Sequence, residues 1–234
     1  MRIALLEMTS HPLPLLEGLP RTAQQIREWI EPHLPEAEFF VANVVDGAAL
    51  PALSDFEGVI VGGSEFGVYD DTEWMQPLRL FLQDCRDQSK PVFGICFGHQ
   101  IMADVYGGKA EKAVIGNIVG CRAFDYGGGN PDAYVWHQDQ VTKVPPTARV
   151  TGSADHCPVG ALDYEFPARS VQFHPEYTAE HLRDLFIRGR DIIVTPEDAD
   201  AGLAALRTAN VPGDLAASQA AALFRGIYRF QLSE

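Results

Sequence analysis

Residues 91–102 read Pro91-Val92-Phe93-Gly94-Ile95-Cys96-Phe97-Gly98-His99-Gln100-Ile101-Met102, and this stretch decides the fold. Apolar Pro91–Phe93 has the character of a buried strand's end, and Gln100–Tyr106 reads as the start of a helix. Between them Gly94-Ile95-Cys96-Phe97-Gly98 is a G-x-C-x-G turn. Strand, tight turn and helix in that order make a nucleophile elbow with a thiol at its apex. Such a turn holds its central residue in strained backbone geometry and lifts the side chain above the sheet. Glycine is needed on both sides because a Cβ there would strike the neighbouring strand and helix. Amides at the helix start favour a thiolate, so Cys96 is the expected nucleophile.

Outward from the elbow, short apolar runs alternate with helical patterns, which predicts a largely parallel open sheet with helices on both faces. Ile3–Leu6 and Glu38–Val44 read as strands, with a loop carrying His11, Pro12 and Pro14 after the first. Thr22–Ile30 is an amphipathic helix ended by Pro32. Phe56–Val61 is a strand opening into Gly62-Gly63-Ser64, and Thr72 is placed to cap a helix running to about Ser89. Segments 109–124 and 133–165 are a small β-rich portion, with a loop at Gly127–Pro131. Ser170–Phe173 is a further strand, ending at His174. Helices follow at Ala179–Arg190, Pro196–Ala209 and Leu215–Phe230, with a break at Pro212-Gly213. The expected division is a domain over 1–190 and a helical C-terminal extension over 191–234 packed on it.

Composition narrows the classes of function. The 234 residues are 46% hydrophobic and 21% charged, as in an ordinary globular chain. No apolar run approaches the roughly 20 residues that span a bilayer. Met1–Glu7 meets charge too early for a signal peptide, so no membrane association and a cytoplasmic location are expected. With 32 acidic against 18 basic residues and a net charge of −14, the chain has no basic stripe for nucleic acid. Cys85, Cys96, Cys121 and Cys157 are scattered without a C-x-x-C pair, which argues against a disulfide framework or a zinc knuckle. No metal and no cofactor are expected.

A cysteine nucleophile needs a base, and the base needs an orienting group. Among seven histidines His174 stands out, because Ser170–Phe173 delivers it to the exit edge of a strand, where open α/β sheets place their sites. Pro175 and Glu176 follow, and an H-x-E step there lets the carboxylate accept the imidazole Nδ1–H and leaves Nε2 for the thiol. Singly, each has a plainer reading: the histidine structural, the glutamate solvated, the cysteine buried and inert. An elbow cysteine, His174-Pro175-Glu176 and the strand exit at Gly62-Gly63 together reverse that preference.

These residues carry a resemblance. The 91–102 stretch resembles the nucleophile signature of the class I, triad-type glutamine amidotransferases, especially the glutaminase domain of GMP synthetases. Ser170-Val171-Gln172-Phe173-His174-Pro175-Glu176 matches the family's G-x-Q-F-H-P-E block apart from its first glycine, and Trp136–Val141 is similar to its S-H-G-D-x-V segment. The resemblance covers about residues 40–180, in the family's order. It implies a flavodoxin-like fold and attack of Cys96 on the side-chain amide of glutamine, with His174 as proton carrier and Glu176 orienting it. It implies an oxyanion hole from the backbone at Gly63 and Phe97, and substrate contacts at Gln100, His137 and Gln138. His99, on the same helix as Cys96, reads as structural, and His156-Cys157-Pro158 matches a strand edge rather than a metal site.

Two departures stand out. Ser64 replaces the family's proline, which predicts a less rigid oxyanion loop, and Gln138 stands where glycine is usual. The chain has no phosphate-binding G-x-x-x-x-G-K-[ST] loop and no S-G-G-x-D-S loop, so it does not itself activate an acceptor with ATP. Three readings stay open: a glutaminase supplying ammonia to a separate synthetase, an autonomous hydrolase of γ-glutamyl amides in the manner of γ-glutamyl peptidases, and a non-catalytic interaction protein. The helical tail leaves open partner docking, core completion or a homodimer.

Overall fold

The computed structural model describes residues 1–10, 16–207, 209, 211 and 215–227. The elements in chain order are β1 (Arg2–Glu7), α1 (Thr22–Ile30), β2 (Glu38–Asn43), β3 (Gly58–Val61), α2 (Met75–Asp87), β4 (Val92–Ile95) and α3 (Phe97–Val105). Then come β5 (Lys109–Lys112), β6 (Ile118–Ala123), β7 (Asp125–Tyr126), β8 (Asp132–His137), β9 (Asp139–Lys143), β10 (Ala148–Ala154), β11 (Cys157–Tyr164) and β12 (Ala168–Val171). The chain closes with α4 (Ala179–Gly189), α5 (Pro196–Leu206) and α6 (Leu215–Phe224).

Eight strands form the main sheet in the order β2-β1-β3-β4-β12-β11-β10-β7. The first five run parallel and the last three join antiparallel. Side-chain alternation divides the core. Ala4 and Leu6 of β1 pack with α2 and α3 through Leu78, Leu82 and Ile101, while Ile3 and Leu5 face α1 and α6 through Ile26, Ala217 and Ala220. The chain is therefore the expected α/β layering, with both faces of the parallel half covered as such strands require. The last helix α6 is part of that covering. Two small antiparallel pairs, β5–β9 and β6–β8, stand outside the main sheet.

Several boundaries move from their expected places. Helix α2 begins at Met75, and Thr72 does not cap it; the Thr72 backbone carbonyl accepts the Met75 N–H at 3.2 Å while its hydroxyl has no partner. Its far end stops before Ser89, whose φ of 53° breaks the helical path. Helix α3 starts at Phe97, directly after the nucleophile candidate rather than at Gln100. Strand β12 ends at Val171, and the chain then leaves the sheet as His174 N–H bonds the Tyr134 carbonyl of β8 at 2.8 Å. Helix α5 ends at Leu206 and α6 at Phe224. The His11–Pro14 loop, the Pro212-Gly213 break and the tail beyond Ile227 lie outside the described residues.

Candidate active site

Cys96 sits between β4 and α3 with φ 53° and ψ −102°, a conformation that side chains rarely adopt. The flanking glycines explain how the turn closes. A Cβ on Gly94 would fall 2.7 Å from the Gly98 carbonyl, and one on Gly98 would collide with the Val61 carbonyl of β3. With no Cβ at Gly98, its N–H reaches the Gly62 carbonyl at 3.2 Å and locks the elbow to the β3 exit. That brings Gly63 beside the thiol: a Cβ on Gly63 would lie 3.7 Å from Cys96 Cβ and 3.0 Å from His174 Cε1. Phe97 opens α3, where its N–H has no intrahelical acceptor.

The Gly63 loop is pinned, which corrects the expectation of looseness at Ser64. Ser64 Oγ donates to the Met8 carbonyl at 2.7 Å and accepts the Phe66 N–H at 3.2 Å. Thr9 Oγ1 donates to the Gly63 carbonyl at 3.0 Å. Hydrogen bonds do here what a proline ring does by restricting φ.

His174 and Glu176 meet Cys96 from the other side. His174 Nδ1 pairs with Glu176 Oε1 at 2.7 Å, both side chains being buried. That bond fixes the ring and leaves Nε2 on the thiol side without a hydrogen bond of ordinary geometry. Burial opposes charge on His174, yet the Glu176 carboxylate and the Cys96 sulfur outweigh it and raise the imidazole to about 10. Tyr177 stacks flat on the ring, with centroids 4.1 Å apart and planes 7° from parallel.

A chain of side-chain amides runs from the sulfur through Gln172 to Gln100. Gln172 Nε2 donates to Cys96 Sγ at 3.7 Å, and Gln172 Oε1 accepts from Gln100 Nε2 at 3.1 Å. Gln100 Nε2 also donates to the Asp139 carbonyl at 2.9 Å, so both its N–H bonds are committed and Oε1 is the end left for a ligand. His137 Nδ1 bonds the Asp139 carbonyl at 3.0 Å, and burial lowers this imidazole to about 3, so it is neutral with the proton on Nδ1. The Asp139 carboxylate accepts the Tyr69 hydroxyl at 3.0 Å, and burial raises its pKa.

Cys96, His174, Gly63, Gln100, His137 and Gln138 all line one cavity of about 320 Å³. Glu176 bonds His174 without lining the cavity, and Phe97 is buried. His99 lies away from the cavity, its Nδ1 on Ser170 Oγ at 2.8 Å and its Nε2 on the Val159 carbonyl at 3.0 Å. The ring of His156 stands edge-on to Phe124, and the Cys157 thiol donates to the Val159 carbonyl. Among the described residues no cluster of three or more metal-ligating side chains forms.

A sequence model of class-I glutamine amidotransferases matches residues 26–189. The chain belongs to the class-I glutamine amidotransferase family. Gamma-glutamyl peptidase 5 of Arabidopsis thaliana is 29% identical over 172 residues, covering 67% of this chain and 68% of the peptidase. The glutamine-hydrolyzing GMP synthase of Azoarcus sp. (strain BH72) is 33% identical over 145 residues, which are 52% of this chain and only 26% of the synthase. The solved structure of a glutamine amido transferase from Methylobacillus flagellatus superposes with a TM-score of 0.73 at 19% identity, covering 99% of this chain and 97% of that one. The last likeness establishes the fold.

Sequence reasoning missed several residues of this site. Gln172 lies within the quoted motif and Tyr177 directly follows it, yet neither their type nor their spacing shows a contact with the sulfur or the ring. Trp136, Leu185 and Ile193 line the cavity from segments far apart in the chain. Only the fold assembles them.

Proposed function

We propose that this protein hydrolyses the γ-amide of glutamine and related γ-glutamyl amides through a thioester on Cys96. The observation that carries this is the convergence of Cys96, the His174–Glu176 pair and the Gly63 loop on one cavity. Cys96 Sγ attacks the γ-carbonyl carbon, and the oxyanion is received by the backbone N–H groups of Phe97 and Gly63, each donor contributing about 3 kcal/mol. His174 gives its proton to the departing nitrogen as the C–N bond breaks. It then takes a proton from water, which adds to the thioester and releases glutamate. Glu176 holds the imidazolium in place, and Gln100, His137 and Gln138 receive the glutamate end of the substrate.

The family and the relatives' names support amide hydrolysis, and the filled triad positions argue against a purely non-catalytic role. The test is release of ammonia and glutamate from glutamine by the purified chain, lost in Cys96→Ala. Equal rates for parent and Cys96→Ala would refute the proposal.

Delivery of the ammonia to a separate synthetase is a second reading. It is favoured by Val114 and Ile115, which are 104% and 62% exposed on the loop leading to Asn117 of the cavity. A synthetase that raises the glutaminase rate on mixing would support it; a rate that is high alone and indifferent to mixing would remove it.

A further inference from the structure

The wall of the cavity next to His174 is more apolar than glutamine requires. Leu16, Trp136, Tyr177, Leu185 and Ile193 line it. The first four belong to a satellite apolar cluster built around α4 and α5, separate from the two cores that cover the sheet. The wall is fixed in place. Trp136 packs on Phe186 with centroids 5.3 Å apart. The α4–α5 connector that carries Ile193 is closed by Ile193 N–H on the Gly189 carbonyl at 2.8 Å and by Arg190 on Asp200 at 2.6 Å.

The position of this wall relative to the reaction is set by Tyr177. Its ring lies flat on His174, the group that protonates the leaving nitrogen, and it is also a member of the wall. Tyr177 thus places the wall against His174, in the cavity where the leaving nitrogen must take its proton. Gln100, Gln138 and Asp139 supply polar groups to the same cavity, and these suit the glutamate half. An NH2 group leaving from glutamine makes no use of the apolar surface, whereas an alkyl or aryl group on that nitrogen would bury it. Charge narrows the class further. Among the described residues the cavity is lined by no Lys or Arg, while Glu65, held by the Ser10 N–H at 3.1 Å, and Asp139 both line it. The α-carboxylate of the glutamate half travels with its own α-ammonium, whereas a carboxylate on the leaving group adds an anion that no cation in the cavity offsets.

Resting on the hydrolysis proposed above, we infer that the preferred substrates are γ-glutamyl amides of apolar, carboxylate-free amines. The reaction balances with water alone. The Cys96 S–C bond forms as the C–N bond breaks, the amine leaves with the His174 proton, and water then cleaves the thioester to glutamate and regenerates the thiol and His174.

The test compares glutamine, γ-glutamyl-n-butylamide and γ-glutamyl-leucine as substrates of the full chain, measured by glutamate release. The butylamide is expected to exceed both others in kcat/KM by about ten-fold or more, the scale of discrimination that a few buried methylenes provide. Glutamine turned over as well as or better than the butylamide would overturn the inference while leaving the hydrolysis intact. Parity of γ-glutamyl-leucine with the butylamide would overturn the exclusion of carboxylates. Hydrolysis of none of the three, with no thioester on Cys96, would instead remove the underlying function. In a second arm, Ile193→Asp places a charge on a side chain already 39% exposed, so folding is expected to survive and is checked by thermal unfolding. The ratio of butylamide to glutamine activity should fall several-fold, and an unchanged ratio in a folded variant would count against the wall as the binding surface.

Discussion

His174 and His99 are both buried imidazoles, yet their charges are driven in opposite directions. Around His99 there is a hydroxyl, a carbonyl and apolar side chains, so burial prevails and lowers the imidazole to about 4. Around His174 burial acts the same way, but the Glu176 carboxylate at 2.7 Å and the Cys96 sulfur reverse the outcome and raise it to about 10. Depth of burial thus says little about the role of a histidine. The carboxylate and the sulfur beside His174, absent around His99, separate the two imidazoles.

The strongest way to break this contrast is to remove the charged ring. His174→Ala should lower kcat by at least about 10⁴-fold in a glutamate-release assay, because members of a catalytic unit fail together. Glu176→Gln keeps the shape and removes the charge, leaving only the Cys96 sulfur to oppose burial, so the His174 pKa must fall. We expect a loss of about 10²–10³-fold at neutral pH and a basic limb of the pH–rate profile displaced to lower pH. A profile that keeps its position would show that Glu176 does not set the charge of the ring. Gln172→Leu removes the amide from the sulfur and one partner of Gln100; about ten-fold lower kcat/KM is expected, with the fold retained by circular dichroism.

His99 supplies the opposite case, in stability rather than rate. Its folded pKa lies below the unfolded value of 6.5, so the unfolded chain binds the proton first on acidification. Its contribution is fully present above about pH 6.5 and is lost as pH falls toward about 4, at roughly 1.4 kcal/mol per pH unit. Neutral His137 and His181, lowered to about 3 and about 4, add in the same direction. His99→Gln, whose amide can both donate and accept, should flatten the dependence of the urea midpoint between pH 7 and 5 while turnover stays near that of the parent chain. His174 contributes with the reverse sign, present below about pH 6.5 and lost as pH rises through about 10.

Much of the contrast is visible in the sequence, for different reasons on each side. The elbow is legible because only glycine fits at 94 and 98, so G-x-C-x-G is a steric signature rather than a preference. The H-P-E step is legible because two residues of separation suffice for the bond seen between His174 and Glu176. The onset of α2 was not, because Thr72 offers its backbone carbonyl where the hydroxyl was expected. Nor was the rigidity of the Gly63 loop, because Ser64 and Thr9 pin it through partners more than fifty residues away and within its own turn. The apolar wall combines Leu16, Trp136 and Leu185, a juxtaposition no local pattern encodes.

The four cysteines permit the most direct test. Burial raises Cys85 and Cys157 to about 12 and Cys121 to about 11, which leaves them as poor nucleophiles near neutral pH. Brief treatment of the native chain with a glutamine analogue carrying an electrophilic γ-carbon, followed by peptide mass mapping, reads out which sulfur reacts. A single adduct on the peptide containing Cys96, suppressed by excess glutamine, is the predicted result. An adduct on another cysteine, or none on Cys96 while glutamine is still hydrolysed, would contradict the assignment.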